Sequence, residues 1–141
     1  MKKYLFMFIA GLIFLNAFAS TEVSAQTMKA IRADVPFDFR LGDKVYPAGV
    51  YYLESISQLS DNLLQLRSFE TKKQRLLATD DFYTGKQQLP KLVFYRIGEE
   101  YYLTNIFMTR GVSGFSIRSS RRIEGGKNLA STKRVEVPVK N

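Results

Sequence analysis

The chain has 141 residues, with 21 lysines and arginines against 13 aspartates and glutamates, and it contains no Cys, His or Trp. No disulfide, thiolate nucleophile or imidazole-bearing triad can form within it, and zinc, copper and haem lose their usual ligands. One domain is expected at this length, and a composition of 45% hydrophobic and 24% charged residues fits a globular chain rather than a disordered one.

Lys2 and Lys3 precede an apolar run over residues 5–18 that is interrupted only by Gly11 and Asn16. Val23-Ser24-Ala25 then supplies the small-residue pattern of a processing site, with Ala17-Phe18-Ala19 as a second candidate. The run is shorter than the roughly 20 residues that span a bilayer. A secretory signal peptide is therefore expected over 1–25, with export to the periplasm or the outside, and no Cys is present to accept a lipid. Its removal takes away Lys2, Lys3 and Glu22, leaving 19 basic and 12 acidic residues over 26–141.

From residue 31 the pattern is that of strands. Ile31, Ala33, Val35, Phe37 and Phe39 alternate with Arg32, Asp34, Pro36, Asp38 and Arg40, a period of two that marks a strand with one buried face. Pro36 donates no ladder hydrogen bond, so this strand is expected at an edge or with a bulge. Turns follow at Gly42-Asp43-Lys44 and Pro47-Ala48-Gly49. Further strands are predicted over 50–56, 63–69 and 75–79, the last two joined by the polar Glu70-Thr71-Lys72-Lys73. Residues 80–90 read as a polar loop. Residues 92–97 and 101–108 form the strongest hairpin signal, around Gly98-Glu99-Glu100. A short strand at 115–118 completes the series, and no segment sustains capped helical spacing. The fold class is all-β, a single antiparallel small barrel or sandwich of about six to eight strands spanning 26–118. Residues 119–141 read as a basic C-terminal tail around Gly125-Gly126, in which 135–139 is either a final edge strand or a frayed terminus. Seven basic and two acidic residues fall between Arg118 and Asn141.

Val35-Pro36-Phe37-Asp38-Phe39, Gly42-Asp43-Lys44 and Pro47-Ala48-Gly49-Val50-Tyr51 resemble the opening of an uncharacterised family of small exported bacterial β proteins. Leu92-Val93-Phe94-Tyr95-Arg96, Gly98 and Tyr101-Tyr102-Leu103 are similar to its second block, and Ser116-Ile117-Arg118-Ser119-Ser120-Arg121 more loosely to its end. The resemblance covers about 35–122 and departs after Gly125, where a short charged helix is expected. It implies export and a compact β domain. It brings no activity, cofactor or catalytic residue, because the matching Gly, Pro and aromatic residues solve turn and packing problems.

Carboxylates are the remaining route to hydrolysis. Asp34 and Asp38 lie on one face of the first strand, roughly 13 Å apart at about 3.3 Å per residue, beyond the roughly 5–9.5 Å of glycosidase pairs. Asp80-Asp81 and Glu99-Glu100 read as solvated turn acids. Asp34, Asp38 and Asp43 lack the spacing of a calcium loop. Ser131-Thr132-Lys133 has no active-site setting, and the sparse Gly111 to Gly114 segment is no phosphate loop. No catalytic, metal or cofactor residue is assigned, and no enzyme is expected.

The basic residues carry the leading expectation. Arg118, Arg121, Arg122, Lys133 and Arg134 are candidates to attract anions. Tyr51, Tyr95 and Tyr102 are candidate aromatic ligand contacts, since strand alternation turns one of each adjacent tyrosine pair outward. The favoured reading is an exported, non-enzymatic binding or structural module of the cell envelope that contacts anionic polysaccharide or lipid headgroups. Nucleic acid is disfavoured as a partner for an exported chain. Two other classes are carried: a lipocalin-like barrel holding a small apolar ligand among Phe94, Tyr95 and Phe107, and a hydrolase with two convergent carboxylates.

Overall fold

The structure, a computed structural model, describes residues 30–56, 62–120 and 132–140. The expected signal peptide lies outside them, as do Arg121 and Arg122. Ten strands run in chain order: β1 (Ala30–Val35), β2 (Phe39–Leu41), β3 (Lys44–Tyr46), β4 (Gly49–Ser55), β5 (Leu63–Ser68), β6 (Gln74–Gln88), β7 (Lys91–Ile97), β8 (Glu100–Phe107), β9 (Gly111–Ile117) and β10 (Thr132–Lys140). Eight of them close an antiparallel barrel in the order β8-β7-β10-β1-β4-β5-β6-β9, with β9 returning to β8, while β2 and β3 stand outside the ring. The all-β expectation holds, and the choice between sandwich and barrel resolves to a barrel.

Alternation decides which residues go inside. Ile31, Ala33 and Val35 of β1, Tyr51 and Leu53 of β4, Leu64 and Leu66 of β5, and Leu92 and Phe94 of β7 are all buried in one core. Val137 joins them from β10. An eight-stranded ring has an interior just wide enough for such side chains to fill. Arg32, Asp34, Tyr52 and Gln65 between them face out, whereas Val93, beside the register shift on β7, is buried.

Closure is economical. Along its second edge β8 pairs with β9 only through Asn105↔Ser116 and Ile106↔Phe115, and with the parallel β2 through Phe39↔Tyr101 and Arg40↔Tyr102. Between these two stretches the Ser120 hydroxyl donates to the Leu103 carbonyl at 2.6 Å. Ser120 belongs to a short 3-10 turn, Arg118–Ser120, and is itself buried. The edge of β8 is thus covered in turn by a strand, a hydroxyl and another strand, leaving little exposed ladder to template association.

Four features differ from the sequence expectation. The first strand stops at Val35 rather than continuing past Pro36; it is no edge strand, since β10 and β4 flank it. The chain then crosses the barrel end, and Phe37 and Phe39 follow it inward, Phe37 stacking on Tyr101 with centroids 3.9 Å apart. Residues 44–46, read as part of a turn region, form β3. The polar segment 80–90 is no loop, because β6 continues through it to Gln88. Its second half leaves β5 and pairs with β9 alone, so it needs little apolar content. Finally, β10 is no frayed edge: β7 and β1 flank it, in register over Thr132↔Ile97 to Pro138↔Lys91 on one side and through Arg32↔Lys140 and Ala33↔Val139 on the other. Residues 132–140 are a structural stave, not a tail.

One close packing site gives a stability prediction. A Cβ at Gly114 of β9 would lie 2.9 Å from Cδ1 and Cε1 of Phe107 and 3.1 Å from the Ile106 carbonyl oxygen. The Phe107 ring is 1% exposed and meets Phe82 edge-on at 5.4 Å, so it has no room to retreat. Gly114→Ala is expected to destabilise the fold by about 1–3 kcal/mol, read as a lowered urea midpoint at unchanged m-value.

Candidate ligand-contact surface

The structure describes three of the basic residues singled out in the sequence, Arg118 on a short turn and Lys133 and Arg134 on β10. Arg118 pairs with Asp80 at 3.1 Å, and Arg134 pairs with Glu136 at 2.9 Å. Lys133 is exposed at the start of β10, and Arg121 and Arg122 fall outside the described residues. Of the three tyrosines, Tyr51 is the inward member of its pair and 0% exposed, so its proposed ligand contact at the surface is corrected. Its hydroxyl donates to the Pro47 carbonyl at 2.5 Å, and burial, followed by the charges of Glu70, Tyr46 and Asp38, pushes the phenol up to about 12.

Tyr95 and Tyr102 do come together. They are opposite one another on β7 and β8, with Arg134 opposite Tyr95 and Arg40 opposite Tyr102. Two acids balance this row. Glu100 accepts from Arg40 Nε at 2.7 Å and from the Tyr102 hydroxyl at 2.6 Å, and Glu136 holds both Arg134 and Lys91 at 2.9 Å. The Tyr102 and Arg40 contacts hold the Glu100 carboxyl below the usual range, the reverse of what a general acid needs. Asp38, Glu99 and Glu100 do share a depression of about 170 Å³. Each is engaged elsewhere, however: Asp38 accepts from the Ala48 N–H at 2.8 Å, and Glu99 from Arg96 at 2.9 Å.

The residues named for an apolar ligand do not converge. Phe94 points into the core, whereas Tyr95 lies one residue on, with the opposite alternation, and Phe107 packs on Phe82 and over Gly114 outside the core cluster. Among the described residues no group of three Asp or Glu side chains is close enough to hold a metal ion.

A different row is the strongest surface feature. On the outer face, Lys140 of β10 is opposite Arg32 of β1, Arg32 is opposite Tyr52 of β4, and Tyr52 is opposite Arg67 of β5. With neighbouring strands about 4.8 Å apart, the four side chains span roughly 15 Å. The Arg67 guanidinium lies 5.6 Å from the Tyr52 ring centroid, within cation–π range. Beside them Phe69, 52% exposed, carries Lys72 Nζ at 4.3 Å above its ring. Tyr52, Arg67, Ser68, Phe69 and Lys72 line a shallow groove of about 180 Å³. Among the described residues Arg67 has a carboxylate within ion-pair reach, Glu54 at 3.7 Å, and Lys72 feels the charge of Glu70. Asp34 lies two residues from Arg32 on the same face. The sequence analysis missed this row. Each member is an ordinary outward strand residue, and only the register aligns residues 32, 52, 67 and 140.

The turn that presents Phe69 and Lys72 is tied to the barrel by Glu70. Its carboxylate accepts from the Val50 N–H at 3.0 Å, and the Thr71 N–H donates to the Ser68 hydroxyl at 3.1 Å. Lys72 takes a positive φ of 58° to close the turn. The hydrogen bond from the Val50 backbone is the first cause holding the Glu70 carboxyl below its ordinary value. A carboxyl depressed in the folded state stabilises above the unfolded pKa of about 4.3, and that contribution is lost as pH falls through the folded value. Acidification is therefore expected to lower the melting temperature below about pH 4.5, and Glu70→Gln is expected to show a shallower fall over the same window. Thermal melts of the two proteins between neutral and acid pH check this; parallel curves would contradict it.

No protein-family model matches the chain, no curated protein matches it, and no solved structure matches its fold.

Proposed function

We propose that the protein is an exported, non-enzymatic binding module of the bacterial cell envelope whose outer barrel face engages an anionic polysaccharide. The observation that carries this reading is the Lys140–Arg32–Tyr52–Arg67 row with Phe69 and Lys72 beside it. Four cations there face three nearby acids, Asp34, Glu54 and Glu70. Fixed positive charges in one line recognise a polymer with repeated negative charge, and the aromatic faces of Tyr52 and Phe69 suit the C–H faces of sugar rings. A lipid headgroup would use the charges without needing the rings, so polysaccharide is favoured. Barrel rigidity contributes too, because side chains on paired strands reach a ligand without first ordering a loop.

The alternative of carrying an apolar ligand inside the barrel has less support, since Leu53, Leu66, Phe94 and their neighbours occupy the interior. The deciding experiment compares retention of the mature chain on a sulfated polysaccharide matrix with its binding to vesicles containing phosphatidylglycerol. Retention that depends on residues 32, 67 and 140 supports the reading. Vesicle binding without polysaccharide binding would replace it with a lipid-directed one, and Arg121→Ala with Arg122→Ala as the damaging pair would return the role to residues 119–131.

A further inference from the structure

The two ends of the barrel are built differently. At one end the crossing from β1 to β2 lays Phe37, Phe39 and Tyr46 over the core. At the other end three inward-facing rows change from apolar to polar as they leave it. On β4 the row passes from Leu53 to Ser55, on β6 from Leu77 through Thr79 to Asp81, and on β9 from Ile117 through Phe115 to Ser113. Asp81 is opposite Phe115 and Thr79 opposite Ile117, so the β6 and β9 rows meet. Together with Met108 and Thr109 beyond the end of β8, they line a depression of about 450 Å³, within the range of small-molecule sites.

Solvation of a barrel rim accounts for exposed polar residues, but not for what lies beneath them. Thr79 is 0% exposed, one inward step below Asp81, and its Oγ1 has no hydrogen-bond partner. Asn62, whose carbonyl accepts from the Thr79 N–H at 2.9 Å, likewise has a buried Oδ1 without a partner. Buried polar atoms are ordinarily paired, and those that are not call for a water or another polar group; neither residue lines the depression itself, so they mark polar character beneath it rather than a ligand contact. We infer that this mouth is a binding site for a hexose-type sugar, neutral or carrying an amine.

The chemistry of the lining sets that class. Asp81 offers two acceptor oxygens, and Ser55, Thr109 and Ser113 offer hydroxyls that both donate and accept. Phe115 and Met108 supply the apolar wall against which the C–H face of a sugar ring packs. Among the described residues no Lys or Arg lines the depression, so a carboxylated or phosphorylated sugar would meet Asp81 without a described cation to compensate it. The site is separate from the basic outer row and does not rest on it.

Titration of the isotopically labelled mature chain with glucose, galactose, mannose, glucosamine, N-acetylglucosamine and maltose, each followed by amide chemical shifts, tests the inference. At least one of these sugars is expected to give saturable shifts centred on Asp81, Met108, Ser113 and Phe115, with glucuronate binding at least about fivefold more weakly. Asp81→Asn and Ser113→Val are each expected to weaken the best sugar by about fivefold, while Lys44→Ala, exposed on β3, leaves it unchanged. Saturable shifts lost in both mouth variants support the site even if the outer face binds no polysaccharide. No saturable shift at these amides with any of the six sugars overturns it, as does glucuronate binding as well as glucose, or an affinity indifferent to both variants.

Discussion

Phe39→Ala is expected to lower the stability of the protein by about 3–5 kcal/mol, the range of a buried phenylalanine removed from a packed core. Phe39 occupies a strand of only three residues, yet it is 1% exposed and its ring meets three others: Tyr51 at 5.1 Å, Phe94 at 5.4 Å and Tyr46 at 5.5 Å. Phe94 belongs to the barrel wall, Tyr51 to the opposite arc, and Tyr46 to the short strand outside. One ring therefore joins the crossing segment to both sides of the barrel. Besides Phe39, the β2 strand is held by the buried Leu41, by the Arg40–Glu100 pair at 2.7 Å, and by two register pairs against β8, Phe39↔Tyr101 and Arg40↔Tyr102. Loss of the ring leaves a cavity and loosens the strand that covers one end of the β8 edge. Urea denaturation followed by near-ultraviolet tyrosine signals measures the effect. Val45→Ala on the adjacent β3 is the control: Val45 is 56% exposed, and its truncation should stay within about 0.5 kcal/mol. Equal midpoints for the two variants would mean that the crossing segment does not cap the core.

Removing Arg32, Arg67 and Lys140 together is expected to weaken binding to an anionic polysaccharide by about a hundredfold at low ionic strength. The size follows from roughly 1 kcal/mol for each fixed cation near an anionic surface. At 1 M salt, where the screening length falls to about 3 Å, wild type and variant should converge. Net charge alone predicts the same loss from any three cations. The decisive control is therefore Lys44→Ala, Lys86→Ala and Lys133→Ala, three exposed residues on other parts of the barrel. That triple variant should lose no more than about threefold. Tyr52→Ala adds a second signature, since loss of the ring removes the partner of Arg67 as well as the stacking face. Its effect should persist at salt concentrations that erase the charge effect. If both triple variants lose affinity equally, the row has no special role.

The candidate surface illustrates how far a strand pattern reaches. Arg32, Tyr52 and Arg67 were each legible as outward residues, because Ile31, Leu53 and Leu66 beside them are apolar and alternate with them. Nothing local linked the three. Arg134, chosen in the sequence for its basic neighbours, proved to be neutralised by Glu136, which lies two residues along the same strand and face. Tyr51 and Tyr52 posed the same difficulty in small: one of the pair had to face inward, but only the phase of β4 against β1 shows that it is Tyr51. The barrel mouth was nearer to legible. The change from Leu77 to Thr79 to Asp81 along one inward row is visible in the sequence, but reading 80–90 as a loop hid that the row continues.

Length, charge and the absence of Cys, His and Trp defined what chemistry the protein lacks, and period-two alternation determined its all-β class and most of its buried positions. These are local properties, set by side chains that point to opposite faces at successive residues. Closure was decided elsewhere. The basic stretch near the C-terminus holds β10 between β7 and β1, the crossing segment covers one barrel end, and β8 divides its edge among β2, Ser120 and β9. Which cations stand in line depends on register, and a slip of one residue would turn every member of a strand to the other face. Register is fixed by packing around the whole ring, which no single strand carries in its own sequence.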